Sequence, residues 1–91
     1  MRVINGLDEL VALAGQELGT SEWLSVTQQM VDRFAEVTLD PQWIHIDVER
    51  AARESPYGTT IAHGFLTLSL VPHFRRQIAE VRGISRVINY G

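Results

Sequence analysis

The stretch Asp40-Pro41-Gln42-Trp43-Ile44-His45 sets an acid and a histidine five positions apart, with a proline directly behind the acid. The proline ring pushes its predecessor out of helical geometry, so Asp40 is expected at a helix exit, on a turn. If the chain then continues as a turn or loop, His45 can fold back until carboxylate and imidazole face a common point and touch one water molecule. That arrangement suits general acid and base work. An imidazole changes charge near neutral pH, and a carboxylate can orient or deprotonate what lies between the two groups. The same residues also read as a turn-capping aspartate and a packed histidine, and spacing alone does not choose between the two.

Further along, Thr59-Thr60-Ile61-Ala62-His63-Gly64-Phe65-Leu66-Thr67-Leu68-Ser69-Leu70 reads as a loop delivering Gly64 to the start of an apolar helix. A glycine there exposes backbone N–H groups at the positive end of the helix dipole, with no side chain to obstruct an oxygen carrying negative charge. An oxyanion hole can be built this way without a charged side chain. The alternative is a glycine that only lets the chain turn tightly against a buried helix.

Together the runs Phe34 to Asp47 and Ile61 to Thr67 resemble the MaoC-like dehydratases, also called R-specific enoyl-CoA hydratases. The D-x-[N/Q]-x-[I/L/V]-H element and the A-H-G element stand in the family's order and at about its separation, and the resemblance covers nearly the whole chain. It implies an α+β hot-dog fold, a long central helix wrapped by an antiparallel sheet. It also implies the addition of water to a trans-2-enoyl thioester to give a 3-hydroxyacyl thioester. Carried over residue by residue, Asp40 and His45 become the catalytic pair and the Gly64 N–H the donor to the thioester carbonyl. Gln42, Ile61, Ala62, His63 and Phe65 then line the substrate site. The coenzyme A thioester is substrate, no metal or redox cofactor is implied, and a homodimer is expected. Readings in which the fold only binds an acyl thioester, serves as a structural subunit, or hydrolyses the thioester remain open.

Where the family pattern has glycine before the catalytic acid, this chain has Leu39. If that position needs a positive φ, leucine costs roughly 1–2 kcal/mol there or reshapes the turn. Family members are also expected to continue beyond Ile88-Asn89-Tyr90-Gly91 through several more strands. Residues 1–91 therefore read as the N-terminal portion of a single hot-dog domain.

A chain of 91 residues builds only a marginal core unless another chain completes it, which favours association. Hydrophobic residues at 45% argue for a foldable globular chain and against disorder. A net charge of −3 gives no general electrostatic case for nucleic acid. The absence of cysteine removes disulfide frameworks and cysteine-based metal sites. The N-terminus has no basic region followed by an apolar run, and no apolar stretch approaches bilayer-spanning length, so a cytoplasmic protein without membrane partners is expected.

Apolar positions at Leu7, Leu10, Val11, Ala14 and Leu18 predict an amphipathic packing helix, capped by Asn5 and ended by Gly19. Glu22 to Val26 is a strand candidate with Trp23 packed. Thr27 then caps a helix through Val37 that sets Val31, Phe34, Ala35 and Thr38 on one face and aims Asp40. Asp47 caps a short helix through Arg53, and Ser55-Pro56-Tyr57-Gly58 is a turn. The helix from Phe65 to Val71 is apolar on nearly every side and is expected to be buried, Pro72 kinking or restarting it. Gly83 closes that helix, and Ile84 to Tyr90 alternates as a strand. His63 either lines the acyl pocket or, the weightier reading, hydrogen-bonds backbone near the turn; His73 belongs to the surface. Histidines spaced this widely, with no H-x-x-x-H pair, do not suggest a metal site.

Overall fold

Thr27 and Leu39 bracket the helix from which the rest of its neighbourhood hangs. The structure is a computed structural model that describes residues 1–89. In it, α2 (Gln28–Thr38) begins where Thr27 Oγ1 accepts the Met30 N–H at 3.2 Å, the expected cap. It ends where Leu39 enters the left-handed region at φ 60°, ψ 39° and the Asp40 N–H folds back onto the Ala35 carbonyl at 3.0 Å. Val31 and Ala35 are buried and Phe34 is half-buried. Thr38 lies on the same helical stripe, at its last turn. It is exposed, its hydroxyl donating to the Phe34 carbonyl at 2.6 Å, a local bond that satisfies the side chain without packing.

The described chain divides into two compact units, of which Trp23–Val71 is one. After α2 it continues through α3 (Trp43–Ile46) and α4 (Val48–Glu54) to α5 (Gly64–Ser69). Asp47 Oδ1 accepts the Arg50 N–H at 3.0 Å and caps α4, which buries Ala51. The Arg50 guanidinium lies 4.3 Å from the centre of the Trp43 ring and ties α4 to α3. The turn at Ser55–Gly58 closes with the Gly58 N–H on the Ser55 carbonyl at 3.0 Å, Gly58 taking φ +70°. Leu70 ends α5, and α6 (Val71–Ile78) restarts with Pro72 in its first turn, where proline's missing N–H is not needed.

The other unit comprises Met1–Glu22 and the described residues from Pro72 onward. In it β1 (Arg2–Asn5) pairs in parallel with β2 (Ala79–Arg82), Ile4 opposite Val81, and α1 (Gly6–Ala12) follows β1 without a break. Ile4 is completely buried and Ala79 nearly so. The chain is thus α+β, but its described residues hold one sheet of two parallel strands and short helices. The expected antiparallel sheet and long central helix are not displayed by them.

Several expectations fall for one reason: elements that need non-local partners do not find them among the described residues. The first helix stops at Ala12 instead of reaching Leu18, and Asn5 makes no side-chain cap bond, its own N–H donating to Glu9 Oε2 at 2.6 Å. Leu7 and Val11 are exposed, and Leu7, Leu10 and Leu18 of the stripe meant for packing line an open apolar groove with Ile4 and Ile84. Glu22 to Val26 is irregular, and Trp23 is fully exposed. Phe65 and Leu68 are exposed and only Leu66 of α5 is buried, because burial requires atoms to cover both sides of a helix. The C-terminal strand lies at Ala79–Arg82, before Gly83, since those residues have β1 as partner; residues 84–89 have no strand and Tyr90 lies outside the described residues. His73 is half-buried, its ring 5.4 Å from that of Phe74.

Leu39 is the only non-glycine with positive φ among the described residues, and its side chain is largely exposed. Replacing it with glycine removes a Cβ penalty of about 1–2 kcal/mol while sacrificing little burial, against roughly 0.5–1 kcal/mol of added unfolded-state entropy. Leu39→Gly is expected to stabilise the chain by up to about 1 kcal/mol, a rise of roughly 4–8 °C in Tm per kcal/mol at this size. Thermal denaturation followed by circular dichroism checks it, and a fall in Tm would show that the turn depends on the leucine side chain.

Candidate functional site

Every residue of the expected site lies in the Trp23–Val71 unit, and local backbone rules explain its placement. The left-handed Leu39 reverses the chain at the exit of α2, so Asp40 leaves on the turn with its side chain 53% exposed. Gln42, extended at φ −60°, ψ 136°, precedes α3 and its carbonyl accepts the His45 N–H at 3.0 Å. This single helical turn is what folds His45 back, as the spacing requires.

The segment carrying Ile61 lies against α3. The Ile61 N–H donates to the Ile44 carbonyl at 3.1 Å, and the Ile61 carbonyl accepts from His45 Nδ1 at 2.9 Å. A carbonyl can only accept, so Nδ1 carries the proton of the neutral ring and Nε2 keeps its lone pair. His45 is half-buried, with its orientation fixed by a backbone group.

His63 is buried to 3% exposure directly before α5. Its Nε2 donates to the Asp40 backbone carbonyl at 3.1 Å, and its ring stacks on His45 with centroids 3.7 Å apart and planes 22° from parallel. Phe34 of α2 closes the far side, centroids 5.0 Å apart. By the same donor logic His63 Nδ1 holds a lone pair, and it has no hydrogen-bond partner among the described residues. The Asp40 carboxylate is 3.9 Å from His63 Nε2, too far for a hydrogen bond, and so remains available. His63 therefore touches both members of the pair while hydrogen-bonding backbone. Its sequence neighbours Ile61 and Ala62 are half-buried.

Gly64 opens α5, whose first N–H groups have no intrahelical partner. A Cβ built on Gly64 would meet nothing within 4 Å, so the approach to its backbone is open. Phe65 and Gln42 are exposed, Gln42 being joined to the arrangement through its carbonyl.

One nitrogen of each of His45 and His63 and a carboxylate oxygen of Asp40 lie within 4.8 Å of one another, a grouping that sequence spacing did not suggest. The two rings are nearly parallel, and each imidazole already gives an N–H to a carbonyl. Groups this close can be bridged by one water, each about 2.8 Å from it.

One contributor has no signal in the sequence. Gln28, the first residue of α2, donates from Nε2 to the His45 carbonyl and to Asp32 Oδ1, both at 2.8 Å, and accepts the Thr60 hydroxyl at 2.6 Å. No local pattern marks such a residue, because its partners lie 17 and 32 positions away.

The family described as MaoC like domain matches residues 9–90. The chain is 50% identical, over all of its 91 residues, to 3-hydroxyacyl-thioester dehydratase Z of Mycobacterium tuberculosis strain H37Rv, and covers 60% of that protein. It is 48% identical over 90 residues to nodulation protein N of Rhizobium meliloti strain 1021, with 89% of this chain and 56% of that protein covered. The chain thus spans less than two thirds of the length of these curated relatives.

The open surroundings of Gly64 and its ordinary φ predict that Gly64→Ala is tolerated by the fold. Alanine is the better helix former and narrows the unfolded ensemble, so stability should hold or rise by up to about 1 kcal/mol. Chemical denaturation measures it. A loss above about 1 kcal/mol would mean that the position is crowded.

Proposed function

The chain belongs to the MaoC-like domain family, and from that membership and the geometry around His45 we propose that it serves the reversible hydration of a trans-2-enoyl thioester to an (R)-3-hydroxyacyl thioester, as an enoyl-CoA hydratase. The observation that carries the reading is the bond from His45 Nδ1 to the Ile61 carbonyl, which leaves the Nε2 lone pair free in a ring that has one nitrogen within 4.8 Å of an Asp40 carboxylate oxygen.

In the hydration direction Asp40 and His45 hold one water. As its oxygen bonds to C3, His45 Nε2 takes a proton and the C2–C3 π electrons move toward the thioester carbonyl. The Gly64 N–H donates to that oxygen as negative charge develops, and the proton returns to C2, so the elements of one water are added across the double bond. Dehydration runs the same steps backward, the direction named for the M. tuberculosis relative. The chemistry calls for no metal or redox cofactor. Ile61, Ala62, His63, Phe65 and Gln42 are the residues proposed to contact the acyl thioester.

A binding-only reading rested on a turn spoiled by Leu39. The leucine instead takes the backbone conformation in which a glycine would sit, so that ground is removed. The complete hot-dog fold, with both units as parts of one domain, is proposed for the whole protein. The exposed faces of Phe65, Leu68 and Trp23 are surfaces that further polypeptide or a second copy in a homodimer would cover. No helix among the described residues is long and apolar enough to cross a membrane, and a cytoplasmic location is proposed.

The test is a double-mutant cycle on whichever form of the chain hydrates an enoyl thioester, alone or completed by further polypeptide. Asp40→Asn and His45→Gln should each lower turnover by roughly 10²–10⁴ with KM little changed. The double variant should cost far less than the product of the two, because either single loss already misplaces the water. Near-normal rates in both single variants would return Asp40 and His45 to a turn cap and a packed ring. Gly64→Ala should lower turnover at least about tenfold despite an intact fold, since its methyl group occupies the approach to the donor.

A further inference from the structure

Gln28 is half-buried and uses its whole amide on partners outside its own backbone. Its Oε1 accepts from Thr60, the residue before Ile61, and its Nε2 donates to the backbone carbonyl of His45. The two groups it grips are therefore the two ends of one catalytic hydrogen bond: the backbone of the histidine, and the segment whose next carbonyl receives that histidine's Nδ1 proton. A second Nε2 bond, to Asp32 one turn along α2, fixes the amide's own orientation. Gln28 is anchored in turn at the capped end of α2, the helix whose other end delivers Asp40.

Resting on the reading of His45 as the base, we propose that Gln28 is a positioning residue that holds His45 in the Nδ1–H tautomer by clamping α3 to the Thr60–Ile61 segment. Apart from the His45 Nδ1 bond itself, the Ile61 N–H bond to Ile44 is what ties the segment to α3 among the described residues, and that bond alone leaves it free to pivot. The Gln28 bridge supplies the second point. Loosening it lengthens the Nδ1 to carbonyl bond, and an imidazole without a fixed acceptor drifts toward the Nε2–H form that predominates in water. In that form the nitrogen facing the water is a donor and no longer a base.

Gln28→Met keeps length and helix propensity but removes every amide bond, and Thr60→Val removes only the bridge to the segment while leaving the Gln28 bond to the His45 carbonyl. Nitrogen-detected NMR of ring-labelled histidine in the whole 91-residue chain reads the tautomer of His45 whether or not the sample turns over substrate. The parent chain should show the Nδ1–H form, Gln28→Met a shift toward Nε2–H, and Thr60→Val a smaller shift the same way. In the form that hydrates an enoyl thioester, Gln28→Met should lower kcat roughly 10–100-fold with KM within about twofold, as expected when a base is misplaced by an ångström or less. Adding Thr60→Val to it should cost nothing further. If either folded variant keeps the parent's tautomer and kcat, the positioning role is overturned. If the tautomer shifts in a protein that shows no hydration in any form, the clamp stands and the hydratase reading is what fails.

Discussion

The hydrogen bond from His45 Nδ1 to the Ile61 carbonyl is the constraint on which the site depends. It joins residues 16 apart, fixes which nitrogen holds the proton, and sets the plane in which the free lone pair lies. The acceptor is backbone, so its direction is set by the fold, and the Ile61 N–H bond to Ile44 makes the contact two-stranded in effect without a strand being formed. His63 packs on the face of the ring so fixed and at its other end grips the turn bearing Asp40. The Nδ1 of the buried His63 ring has no hydrogen-bond partner among the described residues, at the place where the proposed reading needs Asp40 and His45 held in register.

The helix Gln28–Thr38 acts as the measuring rod of the arrangement. Thr27 fixes its start, and the left-handed Leu39 fixes its end and the direction in which Asp40 departs. Both termini are satisfied locally, so the positions of Gln28 and Asp40 relative to each other do not depend on distant packing. Leucine in a conformation that disfavours any Cβ shows that the turn's geometry is held by its surroundings more firmly than by the intrinsic preference of the residue occupying it.

What could be read from the sequence was what short-range chemistry decides. Thr27 and Asp47 are caps because their hydroxyl and carboxylate reach N–H groups three residues on, Ser55–Gly58 turns because glycine permits φ +70°, and Gly64 starts a helix as the loop pattern indicated. Asp40 before Pro41 was placed at a helix exit for a steric reason that holds in any context. The failures are of the other kind. A strand was assigned to Ile84–Tyr90 on alternation, yet β1 pairs with Ala79–Arg82, and alternation cannot say which segment finds the partner. Trp23, Phe65 and Leu68 were expected inside because they are apolar, but burial belongs to the atoms that cover a side chain. The stacking of His63 on His45, and the reach of Gln28 to both sides of the site, come from residues brought together across 18, 17 and 32 positions, and no local pattern records them.

The assignment of hydration is most directly tested by following one enoyl thioester with two readouts at once, the absorbance of the conjugated double bond and the release of free thiol, in the purified chain and in the chain completed by further polypeptide. Water addition across C2 and C3 removes conjugation and leaves the thioester intact, so absorbance should fall with no thiol released, and the same equilibrium should be approached from the 3-hydroxyacyl side. Release of thiol in step with substrate loss would contradict it and make the site a thioester hydrolase; binding of the thioester with neither change would make it a binding surface.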